Sequence, residues 1–152
     1  MPRRISEEGR KMIQQEEGYI GHIYLCPAGV KTIGFGHALR QGEDERFKNG
    51  ITKDQADQLL TTDLAHAESA VTRLIKVPLN DTQFVALVDF TFNLGAGALQ
   101  RSTLRSKLNR SEYINAAYEF PKWCYGGGKK LLGLYRRRIR EMNLFLLHIS
   151  YA

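Results

Sequence analysis

The sequence predicts an α+β fold, with a small antiparallel sheet near the N-terminus, a larger all-helical C-terminal part and a long helix that joins them. Three observations support this class. Residues 6–17 have a helical pattern, residues 19–40 contain short apolar runs separated by glycines, and apolar positions recur at helical spacing after residue 52. We expect one domain over 1–152, with lobe boundaries at about residues 1–51, 52–77 and 78–152.

The first helix has clear end signals. Ser6 is a candidate N-cap, and Gly18 is a typical residue at a helix end. The expected inward face consists of Ile5, Gly9, Met12 and Ile13. The sheet follows over residues 19–40, with a turn at 27–29, and a short helix is expected over 44–48.

The long helix begins at Thr52, because Thr52 and Gln55 have the spacing of a capping box. It is expected to end before Pro78. Its single apolar stripe consists of Ala56, Leu59, Leu60, Leu64, Ala67, Val71, Leu74 and Ile75. Asp63 falls within this stripe and needs a partner, because burial of an unpaired charge is unfavourable. His37, in the predicted sheet, is a cation candidate.

The C-terminal part is predicted to consist of helices. Asn80 and Gln83 start a helix that is apolar on nearly every face, and it should therefore be buried. Ser102 and Ser111 are expected to cap two short helices, which end near residues 108 and 120. Residues 126–130 are expected to be a flexible basic loop.

The last predicted helix, over about residues 134–147, carries a run of arginines. These are Arg136, Arg137, Arg138 and Arg140. We interpret the run as a solvated face. The alternative is attraction to an anionic cell wall or to lipid headgroups.

Composition restricts the function only in part. The formal net charge of +6 suits a polyanionic partner, which could be nucleic acid, a membrane surface or a cell wall. Cys26 and Cys124 are too few for a disulfide framework, and we expect them to be free thiols. No apolar run reaches the length of a membrane span, and the N-terminal residues do not have the pattern of a secretory signal.

Glu17, Cys26 and Thr32 stand out in the region around the predicted sheet. Glu17 is at a helix end, and the other two fall on the strands that follow. A glycoside hydrolase needs at least one acid and, opposite it, a position that can hold or activate a water. As a thiolate, Cys26 could accept a proton from water or attack the anomeric carbon, whereas as a thiol it can only help to position water. A buried inert thiol is the alternative interpretation.

These residues resemble the signature of the phage-type lysozymes, the endolysins related to the lysozyme of phage T4. That signature is Glu, eight residues, Asp or Cys, five residues, Thr, and then Gly-x-Gly-His. Here it is Glu17, Cys26, Thr32 and residues 34–37, as in the Cys-bearing branch of the family. The resemblance continues through residues 92–95, 102–104 and 133–138.

The resemblance implies a lysozyme-like fold and a muramidase, which hydrolyses the β-1,4 bond between N-acetylmuramic acid and N-acetylglucosamine with inversion. It implies Glu17 as the acid, with Cys26 and Thr32 at the water. The implied substrate-binding residues are Gly36, Phe92, Asn93 and Thr103. For Phe92 and Asn93, a core aromatic and a helix C-cap are equally good interpretations. The resemblance also implies that His37 and Asp63 form a structural ion pair.

Glu16 departs from the family, which usually has a large apolar residue at this position. The spacing favours Glu17 as the acid, and we interpret Glu16 as a solvated surface residue. The resemblance implies no cofactor, no metal and a monomer that acts on peptidoglycan glycan strands. It also implies synthesis in the host cytoplasm and action on the cell wall, in the periplasm, after release.

Two other functions stay open. One is lytic transglycosylation of the same bond, which gives an anhydro product. The other is a basic nucleic-acid-binding module, suggested by the net charge and the C-terminal arginines. No recognition-helix motif and no interleaving of aromatic and basic residues support the second, so we expect no nucleic-acid partner.

Overall fold

The N-terminal part consists of one helix, a three-stranded sheet and a short second helix, in a computed structural model that describes residues 1–149. The elements are α1 (Glu7–Glu17), β1 (Ile20–Leu25), β2 (Lys31–Gly34), β3 (His37–Ala38) and α2 (Glu43–Arg46). The strands are antiparallel in the order β1-β2-β3. Ser6 caps α1 as predicted, because its hydroxyl accepts a hydrogen bond from the Gly9 amide at 3.1 Å.

The remaining elements are mostly helical. They are α3 (Lys53–Leu74), α4 (Asp81–Leu94), α5 (Ala96–Arg101), α6 (Thr103–Asn109), α7 (Tyr113–Ala117), a 3-10 helix (Phe120–Lys122), β4 (Tyr125–Gly126), β5 (Lys129–Lys130) and α8 (Leu132–Leu146). The α+β class is therefore confirmed. In residues 1–149, no helix is both long enough and apolar enough to cross a membrane.

Helix α4 lies at the centre of the helical part and packs against α3 and α8. The predicted capping box of Thr52 with Gln55 is present, and Asn80 and Gln83, which were predicted to start a helix, form a second capping box. Helix α4 is buried on nearly every face, as its all-round apolar sequence predicts. Side chains that project from the C-terminal half of α4 are therefore attached to a buried helix.

Four local expectations were wrong. Met12 is exposed rather than inward-facing. Residues 126–130 belong to a β4–β5 hairpin instead of a loop. Helix α5, over residues 96–101, was not predicted. Ser111 does not cap a helix: it has a φ of 64° and closes α6, because the Glu112 amide donates to the Lys107 carbonyl at 3.0 Å.

The buried imidazole of His37 connects the sheet to two helices. Its Nδ1 lies 2.7 Å from Oδ2 of Asp63 on α3, and its Nε2 lies 2.9 Å from Oε1 of Glu43 on α2. The hydrogen bond to Asp63 raises the pKa of His37 more than burial lowers it, and Glu43 adds to the increase. His37 is therefore more basic than an ordinary histidine.

We expect the stabilisation by Asp63 to depend on pH. The folded-state pKa of His37 is raised above the ordinary histidine pKa of about 6.5. The stabilisation from charged His37 is therefore complete below about pH 6.5, and it is lost as the pH rises through the folded-state pKa. Asp63→Asn should lower the free energy of unfolding by about 1–3 kcal/mol at about pH 5.5, and by less at about pH 9.

Urea unfolding at the two pH values measures this difference. Asp44→Asn is the control, because it breaks the exposed Lys31–Asp44 ion pair and should change the free energy by less than about 1 kcal/mol at either pH. Equal losses for Asp63→Asn at both pH values would contradict the prediction, because they would show that titration of His37 in this range does not change the stabilisation by Asp63.

Candidate active site

Glu17 is the last residue of α1, and Gly18 ends the helix with a φ of 69°. The Glu17 carboxyl lies against Gly36, in the turn between β2 and β3. A Cβ atom added to Gly36 would lie 2.8 Å from the carboxyl carbon and from both carboxyl oxygens of Glu17. Gly36 also has a φ of 75°, which L side chains rarely adopt. Glycine at position 36 therefore allows the backbone to pack directly on the candidate acid.

Arg137 of α8 also contacts the Glu17 carboxyl. Its Nη1 lies 3.2 Å from both Glu17 oxygens, while Nε and Nη2 donate to the two oxygens of Asp89 on α4 at 3.1 and 2.7 Å. Burial opposes the charge of Arg137, but Asp89 and Glu17 raise its pKa above the ordinary value. The guanidinium is therefore a fixed positive charge between two carboxyls.

Burial raises the pKa of Glu17 above its ordinary value, although the charge and hydrogen bonds of Arg137 lower it. The negative charges of Asp89 and Glu16 add smaller increases. A carboxyl with a raised pKa keeps its proton at a higher pH than a solvated one. Glu17 is thus suited to donate a proton to a leaving group.

The carboxyl of Asp89 is linked in turn to a second buried pair on α8. Burial raises the pKa of Asp89, but the neighbouring Glu141 side chain and the charge of Arg137 hold it below its usual range. Glu141 contacts Arg138, whose Nη2 also donates to the amide oxygen of Asn93 at 2.6 Å. These contacts form one polar cluster that extends from Glu17 to Asn93.

Cys26 and Thr32 lie on the two strands of the β1–β2 hairpin or next to them. Cys26 is a half-buried free thiol directly after β1, and its amide donates to the Val30 carbonyl at 3.0 Å. Thr32 is buried, and its hydroxyl donates to the same carbonyl at 2.8 Å. Because its proton is used there, Thr32 Oγ1 can only accept a hydrogen bond from a water.

Tyr24 is a candidate site residue that sequence analysis missed. It pairs directly with Thr32 across the hairpin, so these two share one face of the sheet, and it lies two residues before Cys26. Burial raises the pKa of Tyr24, and the nearby Glu17 and Cys26 side chains raise it further. Tyr24 therefore lies close to both the candidate acid and the thiol.

A groove of about 370 Å³ lies between the sheet, α3 and the end of α4. Its lining includes Gly36, Phe92, His37 and Asp63, together with His66 of α3. Asn93 is half-buried and bonded to Arg138, and Thr103 is exposed at the start of α6. Neither of these two lines the groove. Their substrate-binding roles, like those of Gly36 and Phe92, stay predictions.

The interpretation of the arginine run as a solvated face was wrong for two of its members. Arg137 and Arg138 are buried, and Arg140 is ion-paired with Glu16, which is half-buried rather than solvated. Helical spacing contained the signal, since Arg138 falls on one face with Met142 and Phe145. Burial of these charges removes much of the case for a nucleic-acid interface.

The fold and site define a lysozyme-like protein, in which a helix-terminal acid faces a small sheet beside a helical lobe. Residues 14–141 match the Phage lysozyme family, and the chain belongs to that family. The family resemblance stated from the sequence is therefore confirmed.

Relatives in sequence are phage endolysins. An endolysin of Bacillus phage B103 is 40% identical over 93% of this chain and 54% of its own length. An endolysin of Salmonella phage P22 is 37% identical over 93% of this chain and 97% of its own length. The chain therefore spans about half the length of the first relative and nearly all of the second.

Solved structures show the same fold over almost the whole chain. An endolysin from Escherichia coli O157:H7 phage FAHEc1 has a TM-score of 0.80 at 31% identity, covering 99% of this chain and 98% of that one. The muramidase domain of SpmX from Asticaccaulis excentricus has a TM-score of 0.79 at 34% identity, covering 95% and 99%. The predicted lysozyme-like architecture is confirmed.

Gly36→Ala should impair the site, because the new methyl group displaces the Glu17 carboxyl. We expect a loss of activity of at least about tenfold in the folded protein. Gly42→Ala is the matched control, since Gly42 has a φ of 86° and no atom within 4 Å of an added Cβ. Wall-clearing rates per folded molecule measure the effect. Equal losses in both variants would show that the loss comes from the backbone conformation of the glycine and not from contact with Glu17.

Proposed function

We propose that this chain is a muramidase that hydrolyses the β-1,4 linkage between N-acetylmuramic acid and N-acetylglucosamine in peptidoglycan. The observation that carries the proposal is the Glu17 carboxyl, which is held between Gly36 and Arg137 with a raised pKa. Membership of the Phage lysozyme family supports the substrate class.

In the proposed reaction, Glu17 gives its proton to the glycosidic oxygen as the bond to the anomeric carbon breaks. The oxocarbenium-like centre is then attacked by water from the opposite face of the sugar. Thr32 accepts a hydrogen bond from this water, and Cys26 helps to position it or takes its proton. Attack from the opposite face inverts the anomeric carbon. The proton that the water releases passes to the Cys26 thiolate or to solvent, and Glu17 regains its proton from solvent.

The partners and location follow from the same proposal. The groove beside Gly36 and Phe92 receives glycan strands, and Asn93 and Thr103 extend the contact beyond it. The protein acts as a monomer, and its net charge of +6 favours contact with an anionic wall or membrane surface. It is made in the host cytoplasm, and it lyses the host after release to the cell wall in the periplasm.

Lytic transglycosylation is the second candidate. The group opposite Glu17 in the motif is a thiol instead of a carboxylate, and a route without water needs no base to activate one. Its anhydro product is lighter than the hydrolysis product by one water. Mass spectrometry of the released muropeptides therefore separates the two reactions.

Glu17→Gln should abolish muropeptide release, with a loss of at least about 100-fold, because the amide has no proton to donate to the leaving oxygen. Thermal stability should stay close to that of the unsubstituted protein, since Arg137 keeps Asp89 as a partner. The neighbouring Glu16→Gln is the control and should remain active. Full activity of Glu17→Gln would refute the assignment of the acid.

A series at Cys26 tests the second group. Cys26→Ser should lower activity, while Cys26→Asp should retain or restore part of it by placing a carboxylate near the water. Normal turnover by Cys26→Ala would show that the thiol has no part in the reaction. NMR of the first product anomer tests the stereochemistry, and a β product would contradict inversion.

A further inference from the structure

Two exposed polar residues, Arg40 and His66, line the groove beside Gly36 and have no part in the proposed reaction. Arg40 follows β3, and His66 belongs to α3, one turn after Asp63. None of the ion pairs within residues 1–149 includes either of them. Both are therefore available to a molecule that occupies the groove.

The carboxylates near these two residues already have partners. Among the described residues that line the groove, Asp63 has the only carboxylate, and its Oδ2 lies 2.7 Å from Nδ1 of His37. Oε1 of Glu43, behind the groove, contacts Nε2 of His37 at 2.9 Å and accepts from the backbone amide of Arg40 at 2.7 Å. The side chain of Arg40 takes no part in these hydrogen bonds.

The rest of the lining suits a sugar better than an ion. Thr91 is buried, and Phe92 is half-buried at the end of α4. The remaining members are small or aliphatic, namely Gly36, Ala38, Leu39, Ala67, Gly95 and Ala96. Apolar surface with a few polar groups is typical of a ligand pocket, in which the polar groups fix orientation and provide specificity. In this groove, Arg40 and His66 are the exposed groups that can do so.

The donors of these two residues match one part of the proposed substrate. The N-acetyl sugars of the glycan backbone are neutral, whereas the lactyl group of muramic acid carries a peptide with free carboxylates. A guanidinium binds a carboxylate through two parallel N–H donors, and an imidazole N–H can supply a third. The anion that fits the groove therefore comes from the muramic acid substituent.

We propose that Arg40 and His66 form a specificity site, which binds a carboxylate of the peptide on N-acetylmuramic acid. The inference rests on the proposed function, because it names the part of that substrate that the groove recognises. Neither residue donates or accepts a proton in the reaction. Their contacts are the same before and during bond cleavage, so their loss should raise KM and leave kcat nearly unchanged.

The test varies the protein and the substrate together. The substrate is a preparation of soluble glycan strands with their peptides attached, free of other wall polymers. In a second batch, carbodiimide and ammonia convert the carboxylates to amides, which removes the negative charge and leaves the glycosidic bonds intact. Any interaction that depends on a substrate carboxylate is present with the first batch and absent with the second.

Arg40→Gln should raise KM for the native strands at least about threefold, with kcat within about twofold of that of the unsubstituted protein. On the amidated strands the two proteins should have equal KM values. Arg40→Lys should recover part of the loss, because lysine keeps the charge without the planar pair of donors. The contact of the backbone amide with Glu43 is the same in all three proteins.

His66→Ala should raise KM for the native strands about twofold and leave KM for the amidated strands unchanged, because it removes one neutral donor. Arg73→Gln is the matched control for charge. Arg73 is an exposed arginine on the same helix as His66, and it does not line the groove. Its loss should change KM by less than about 1.5-fold, because only general attraction to the strands is weakened.

Three results would overturn the inference. The first is an equal rise of KM for Arg40→Gln on native and amidated strands, which would assign the effect to the neutral glycan or to the fold. The second is a rise for Arg73→Gln as large as that for Arg40→Gln. The third is an undiminished effect of Arg40→Gln on strands whose peptides an amidase has removed, because these strands keep only the lactyl carboxylate.

A binding measurement separates this inference from the proposed function. Calorimetry with Glu17→Gln compares the Kd of native strands with that of amidated strands and does not depend on cleavage. If the protein neither cleaves nor binds the strands, the proposed function fails. If it cleaves them but binds both batches with equal affinity, only the specificity site fails.

Discussion

The buried guanidinium of Arg137 is the interaction on which the site depends. It projects from α8 and binds Glu17 at the end of α1 together with Asp89 on α4. An unpaired charge at this depth would be strongly unfavourable, so each of the three groups requires the others. Two effects on the pKa of Glu17 oppose each other: burial favours the protonated acid, and the nearby Arg137 cation favours the carboxylate.

The sheet supplies the opposite side of the site mainly through its backbone conformation. The positive φ of Gly36 brings the β2–β3 turn onto the Glu17 carboxyl, and the β1–β2 register places Tyr24 opposite Thr32. His37, on the strand after this turn, fixes the sheet to α3 and α2 through two carboxyls. Glu17 therefore contacts the backbone of Gly36, where there is no room for a Cβ atom, and the guanidinium of Arg137, which is also bound to Asp89.

The basic composition of the chain has a different meaning in the folded protein than in the sequence. Arg137 and Arg138 are internal, and their positive charges face Asp89, Glu17 and Glu141 instead of an external polyanion. Much of the charge in the C-terminal run therefore serves the architecture of the site. Surface attraction to an anionic wall has to come from the remaining lysines and arginines.

The sequence by itself determined the class of fold, because caps, glycines and apolar periodicity are local. Ser6, Thr52 and Asn80 cap their helices as predicted, and the spacing from Glu17 to His37 identified the family. Helical spacing already put Arg138 on one face with Met142 and Phe145, but only the tertiary structure decided which partners the buried charges have. Arg137 and Glu17 are 120 residues apart, and no local rule connects them. The packing of α8 on α4 sets the ion-pair partners, and no local pattern specifies this packing. Because of it, Arg137, which the sequence suggested to be on the surface, is buried and binds Glu17.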